Sequence, residues 1–271
     1  MIKGRENPQD VKLEQRLQSV HHRIAVMSGK GGVGKSTVSV NLAWALAEQK
    51  MTVGLLDTDI HGPNLPLMLG IQEQRFTATG EDSQEIVPVP VGDYLKVASV
   101  GNIGYDPATA LIWRGPMKLG LIKQFLSDVV WGALDYLVID TPPGTGDEAL
   151  PIGHYIKPMT GIVIVTTPQE VALLDSRKSV DFAMKTGIPV IGIVENMADG
   201  ESLKVFGSGG GEKAATELQV PFLGRIALDP RMVTAGDGGR PFLRDFSESE
   251  SGRQLGAIVQ RIEEFCGKAG S

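Results

Sequence analysis

The run Gly29-Lys30-Gly31-Gly32-Val33-Gly34-Lys35-Ser36-Thr37 constrains this chain more than any other stretch. A glycine-rich segment closed by Gly-Lys-Ser works as the bend between a buried strand and a helix. Its backbone amides, from Gly29 through Gly34 and Lys35, cradle phosphate oxygens, Lys35 reaches the outer phosphates, and the Ser36 hydroxyl reaches magnesium. The flanks suit that bend: Ile24-Ala25-Val26-Met27 is a short apolar run like a buried strand, and Val38 to Gln49 has helical spacing. Lys30 is the anomaly. One lysine is enough to bind phosphate in such a loop, and a second suggests a partner.

The rest of the chain repeats this alternation. Val11, Leu13, Leu17 and Val20 mark an amphipathic lead helix, and strands are predicted over Arg23 to Ser28, Thr52 to Asp57, Tyr94 to Val100, Tyr136 to Asp140, Gly161 to Thr166, Val190 to Glu195 and Phe222 to Ile226. Continuous Val, Ile and Leu runs separated by helical patterns imply strands covered on both faces. The expected fold is α/β: a single P-loop NTPase domain over residues 23–271, with a mainly parallel twisted sheet and helices on both faces, preceded by a lead segment over 1–22. Two segments break the rhythm. Glu73 to Gly92 reads as an excursion whose Ile86-Val87-Pro88-Val89-Pro90 forms a short edge strand. Gly207-Ser208-Gly209-Gly210-Gly211 precedes a helix from Glu212 to Leu218, as a flexible entry or as an anion site at the helix start.

Composition excludes several functions. The 271 residues are 42% hydrophobic, and no apolar stretch approaches the roughly 20 residues that span a bilayer. The polar stretch Met1 to Asp10 lacks the apolar core of a secretory signal, so a soluble cytoplasmic protein with no membrane association is expected. With 26 basic and 32 acidic residues the net charge is −6, which disfavours nucleic acid as a partner. Cys266 is the single cysteine, so no internal disulfide and no multi-cysteine metal site can form within one chain.

In open parallel sheets ligands bind beyond the carboxyl ends of the strands. Two acidic clusters stand there. Asp57-Thr58-Asp59 ends the second predicted strand and leaves Asp59 just outside the sheet, where it can orient water. Asp140 ends another and is followed by Thr141-Pro142-Pro143-Gly144-Thr145-Gly146-Asp147, which places its carboxylate to hold magnesium directly or through water. His21 and His22 read as a solvated helix end, His61 and His154 as loop residues, and the dispersed methionines as core filling.

With these residues in hand, the two-lysine loop resembles the deviant Walker A motif of the MinD/ParA/nitrogenase iron protein class of ATPases. Asp57 to Asn64, Trp113-Arg114-Gly115-Pro116, Asp140 to Asp147, Thr167-Pro168-Gln169-Glu170 and Glu195-Asn196-Met197 are similar to the Mrp/ApbC/Nbp35 branch, as are Asp229-Pro230-Arg231 and Gly239-Arg240-Pro241-Phe242. The resemblance implies an ATP- and Mg2+-dependent homodimer in which Lys30 of one subunit reaches phosphate bound to the other. Lys35, Ser36 and Thr37 act within a subunit, Asp59 lies near the attacking water, Asp140 near magnesium, and Asn196 against adenine. Arg114 lies in a matching segment as a structural residue.

Members that carry iron-sulfur clusters place a Cys-x-x-Cys pair after the Glu-Asn-Met motif. Here Ala198 to Gly207 is short and has no cysteine, and the N-terminal cysteine motif of Nbp35-type members is also missing. Cys266, among Leu255, Ile258, Val259, Ile262 and Phe265, reads as a packed residue on a final helix that lies on the sheet. The leading expectation is an ATPase of iron-sulfur cluster assembly or transfer, working on a client protein with cluster ligands supplied by a partner. The alternative is a MinD/ParA-like switch that positions or regulates a partner without a cluster.

Overall fold

Continuous burial along the central strands, on both faces, sets the layers of this molecule. The computed structural model describes residues 8–60, 62–79, 85–103, 115–146, 149–169 and 171–269. In chain order, α1 (Pro8–Gln18) leads into β1 (Val20–Met27), α2 (Lys35–Glu48), β2 (Val53–Asp57) and the short α3 (Leu65–Met68). Next come β3 (Thr77–Thr79), β4 (Glu85–Val87), β5 (Val89–Val91), β6 (Leu95–Ser99), α4 (Gly115–Asp128) and β7 (Leu134–Asp140). The chain continues through α5 (Leu150–Tyr155), β8 (Gly161–Thr166), α6 (Val171–Thr186), β9 (Val190–Ala198) and α7 (Gly210–Leu218). It closes with β10 (Phe222–Ala227), α8 (Pro230–Asp237), α9 (Phe242–Phe246) and α10 (Glu250–Ala269).

Eight strands form one sheet in the order β10-β9-β8-β1-β7-β2-β6-β5, all parallel except β5, which runs antiparallel to β6 at the edge. Because successive strand residues face opposite sides, Ile24 and Val26 of β1 join one apolar layer while Ala25 and Met27 join the other. The first layer is closed by Leu42 and Leu46 of α2, Phe242 of α9 and Ile258 and Ile262 of α10. The second is closed by Leu13 and Leu17 of α1, Phe125 of α4 and Phe182 of α6. A sheet sandwiched this way needs apolar residues at every strand position, which is why the strands read as continuous runs.

The expected strands are present, with three corrections. β1 starts at Val20, and His21 and His22 lie in it rather than at a helix end: Val20 pairs with Leu134 and His22 with Tyr136, whose rings stand 5.0 Å apart. Pairing with β7 makes both strand residues, with His22 against Tyr136 and His21 exposed on the opposite face. His154 is in the last turn of α5, not a loop. The Ile86 to Pro90 run divides at Pro88, its first part pairing with β3 in a separate hairpin and its second forming the edge strand β5. Pro90 sits on that edge, where its missing N–H is tolerated. His61, Trp113, Arg114, Asp147 and Glu170 lie outside the described residues. Among the described residues no helix is long and apolar enough to cross a membrane.

Candidate functional site

The loop after β1 owes its shape to glycines at two close approaches. Gly34 has φ +84°, and a Cβ there would overlap the side-chain amide of Asn196; a Cβ on Gly29 would overlap the backbone of Asp175 in α6. A left-handed residue in so tight a space is glycine's role. The bend delivers Lys35 as the first residue of α2, and nearly the whole Lys35 side chain is buried beneath the loop.

Sheet order then supplies the carboxylate. β7 lies beside β1, so Asp140 at its end sits under the loop, paired in register with Val26. Its Oδ2 is 2.8 Å from Lys35 Nζ and accepts the Ser36 hydroxyl at 2.7 Å, while its Oδ1 accepts Ser39 at 2.6 Å. A buried carboxylate is tolerated when a cation and hydroxyls compensate for lost water. The segment beyond β7 extends the ladder: Thr141 N–H donates to Val26 C=O, and Gly144 N–H to Ser28 C=O.

On the other side β2 adds Asp57, which is fully buried and lies in register with Asp140. Asp57 accepts the Ser99 hydroxyl at 2.8 Å and Asp59 N–H at 3.0 Å. Burial first, and the neighbouring Asp140 charge second, push its carboxyl up to about 8, against smaller downward pulls from Ser99, Lys35 and Asp59 N–H. The fold therefore favours the protonated acid. The stability this contributes is complete below the ordinary value of 3.8 and is lost as pH rises through about 8. In EDTA, the melting temperature of Asp57→Asn relative to wild type is expected to climb across that window. A difference that stays flat with pH would contradict the shift.

Asp59 is partly exposed two residues beyond β2, and its carboxylate accepts Gly62 N–H at 3.2 Å. Lys30 is half-exposed and has no ion-pair partner among the described residues; only its carbonyl is engaged, by the Ser28 hydroxyl. Asn196 arrives from β9, two strands from β1, and its amide nitrogen donates to Val33 C=O at 2.9 Å. Removing that donor in Asn196→Ala leaves a buried carbonyl unpaired. The expected result is a stability loss of about 1 kcal/mol and nucleotide affinity weaker by roughly fivefold to tenfold, read by calorimetric titration with ADP.

Thus Lys35, Ser36, Asp140 and Asn196 meet around one loop, while Asp59, beyond the end of β2, and Lys30 are partly exposed. Sequence reasoning missed Ser39, Asp57 and Glu195. Ser39 follows Ser36 at a spacing that shares a helix face, and Asp57 stands beside Asp59, so both carried a signal. Glu195 is fully buried, and its carboxylate accepts Gly209 N–H at 2.9 Å and Gly211 N–H at 2.5 Å. The entry to α7 therefore holds the chain's own anion.

Asp199 organises the segment between β9 and α7. Its carboxylate accepts N–H groups from Val205, Phe206 and Gly207 at 2.7, 2.9 and 3.0 Å, and these bonds, Val205 first, hold it below the usual carboxylate range. This closed loop leaves Val205 and Phe206 exposed. Cys266 is far along α10, completely buried, and burial with the nearby Glu263 pushes its thiol up to about 12. Such a thiol is a packing group, not a thiolate ligand. Among the described residues no group of three or more His, Cys, Asp and Glu is arranged to hold a metal by itself.

Known proteins resemble this chain over most of its length. Residues 19–263 match the model of a ParA-group family described as NUBPL iron-transfer P-loop NTPase. The chain is 50% identical over 263 residues to an iron-sulfur cluster carrier protein of Methanocaldococcus jannaschii, covering 94% of this chain and 90% of that protein. Among solved structures it is similar to a nucleotide-binding protein of Archaeoglobus fulgidus in complex with ADP, with 37% identity and a TM-score of 0.74 over 86% of this chain and 92% of that one. The cell division ATPase MinD of Pyrococcus furiosus shares the fold, with 24% identity and a TM-score of 0.69 over 90% of this chain and 99% of that one.

Proposed function

This chain belongs to the NUBPL iron-transfer P-loop NTPase family, and we propose that it hydrolyses ATP to ADP and phosphate as a homodimer whose nucleotide state governs transfer of an iron-sulfur cluster to a client protein. The observation that carries the reading is the convergence of Lys35, Ser36 and Asp140 beneath the loop amides. Ser36 and Asp140 offer hard oxygen donors of the kind Mg2+ takes, and bound Mg2+ would supply charge neutralisation on the phosphates. Lys35 clamps the outer phosphates. Asp59, which accepts Gly62 N–H, orients the attacking water, and Asn196 fixes the loop while lying against adenine.

Among the described residues Lys30 has no ion-pair partner, which suits a lysine that completes a neighbouring subunit's site. Leu174, beside the Asp175 that packs on Gly29, is an exposed apolar residue on the same edge, and its burial in a dimer would stabilise the contact.

The cluster is cargo, and the thiolates of this chain do not fit it as a resident group: a four-thiolate site has one buried, weakly acidic cysteine per subunit to draw on. Client or partner thiols therefore complete the coordination. Anaerobic reconstitution with iron and sulfide tests this. The expected outcome is no stable cluster on the chain alone, together with ATP-dependent acceleration of cluster transfer from a donor to an acceptor protein. A stoichiometric cluster lost in Cys266→Ser would overturn the assignment of that thiol. ATP-dependent dimerisation with no effect on transfer would instead favour the second reading, a partner-positioning switch, for which the cysteine-free Asp199 loop is the supporting observation.

A further inference from the structure

A second concavity lies away from the phosphate loop, against the far half of α2. It has a volume of ≈ 830 Å³ and is bounded by α2, α9, the start of α10, Leu69 and the edge strand β5. Trp44 lies nine residues beyond Lys35 on α2, so it stands roughly 13 Å further along the helix axis. The volume falls within the range of small-molecule sites, and Trp44, Leu69, Val91 and Leu243 give it apolar walls.

Its charge is the reverse of the molecule's. Arg244 and Arg253 line it against one carboxylate, Glu48, in a chain of net charge −6. Arg244 has only a long, shared ion pair, and among the described residues Arg253 has none. Asp245 is 4.0 Å from Arg244 and already pairs with Arg240 at 3.0 Å, while Arg253 donates to the uncharged carbonyl of Glu248.

Gly256 borders this space on α10 without a close contact of its own. Glycine inside a helix is unfavourable, so it normally marks a close approach. Gly252, one turn earlier in α10, has that reason: a Cβ there would collide with the Phe246 carbonyl. At Gly256 a Cβ would meet nothing within 4 Å, and the position borders the concavity. A bulky side chain there would stand at the rim of the concavity and narrow it.

We propose that this groove binds a small organic anion with a flat or branched apolar body, which packs on Trp44 and Leu243 while its acidic group pairs with Arg244 and Arg253. The site stands apart from the nucleotide chemistry and does not depend on the proposed function. The probe is 8-anilinonaphthalene-1-sulfonate, titrated by fluorescence into the full chain, with uncharged N-phenyl-1-naphthylamine as its counterpart. One saturable site per chain is expected, with Kd on the order of 10–100 μM and contact seen as a shift of the Trp44 indole N–H resonance. Gly256→Leu should weaken the sulfonate dye at least about tenfold, a loss of roughly 1.4 kcal/mol. The exposed double change Arg244→Ala with Arg253→Ala should weaken that dye about tenfold while leaving N-phenyl-1-naphthylamine unaffected. Equal dye affinity in Gly256→Leu overturns the site, as does an unmoved Trp44 resonance. If Gly256→Leu fails to fold, unchanged sulfonate affinity in the double arginine variant overturns it equally. Should the wild type ignore both dyes and Gly256→Leu alter its sedimentation, the groove is a contact between copies and the proposal fails.

Discussion

Lys35→Ala is expected to lower ATP turnover by about two to three orders of magnitude, the loss seen when one preorganised donor to a developing charge is removed. The structure adds a second consequence. Lys35 is buried against Asp140 at 2.8 Å, so alanine leaves a buried carboxylate without its cation, at a cost of about 3 kcal/mol, the lower end for a broken buried pair. The lower end applies because Ser36 and Ser39 still donate to that carboxylate. Lys35→Gln separates the two effects, since its amide can still donate to Asp140 without carrying charge. It should recover much of the melting temperature and none of the turnover. Thermal unfolding and phosphate release measure the two halves, and normal turnover in either variant would refute the phosphate-clamp assignment.

Lys30→Ala should behave in the opposite way. The side chain is half-exposed and unpaired among the described residues, so its loss should change stability by no more than about 0.5 kcal/mol and leave ADP binding intact. Turnover should nevertheless fall on the order of 10³-fold, because a cation supplied across an interface to the transferring phosphoryl contributes that much or more. The decisive measurement is complementation. Lys30→Ala supplies an intact Asp59, and Asp59→Asn supplies an intact Lys30, so a mixed dimer carries one complete site. Mixing the two variants should restore turnover that neither has alone. Failure to recover any activity, with mixed dimers demonstrated by sedimentation, would place Lys30 within its own subunit or outside the chemistry.

These two lysines, five residues apart, differ in what revealed them. Both were visible in the sequence because the loop is local: strand, glycine bend and helix follow one another without interruption. The strands were similarly legible, since burial on both faces writes itself as unbroken Val, Ile and Leu runs. The start of β1 was not. His21 and His22 look like a polar helix end until Tyr136, more than a hundred residues away, is placed beside them. Asp57 was harder still. Its raised pKa depends on complete burial and on the charge of Asp140 in the next strand, neither of which has a local signature. The glycine run before α7 left two readings open, and Glu195 from the preceding strand decided between them by capping that helix start itself.

The sequence by itself determined that a phosphate loop with a second lysine would form and that one chain would lack the cysteines for a cluster, because both follow from residue identity and short-range backbone geometry. Only the tertiary structure decided that Asp140 pairs with Lys35 and Ser39 beneath that loop, that Asp57 stands in register with it, and that Asn196 steadies the loop from two strands away. The reason is sheet order. β7 lies between β1 and β2 although it follows them by many elements in the chain, and such long-range pairing is chosen by the packing of the two apolar layers rather than by any neighbouring residue.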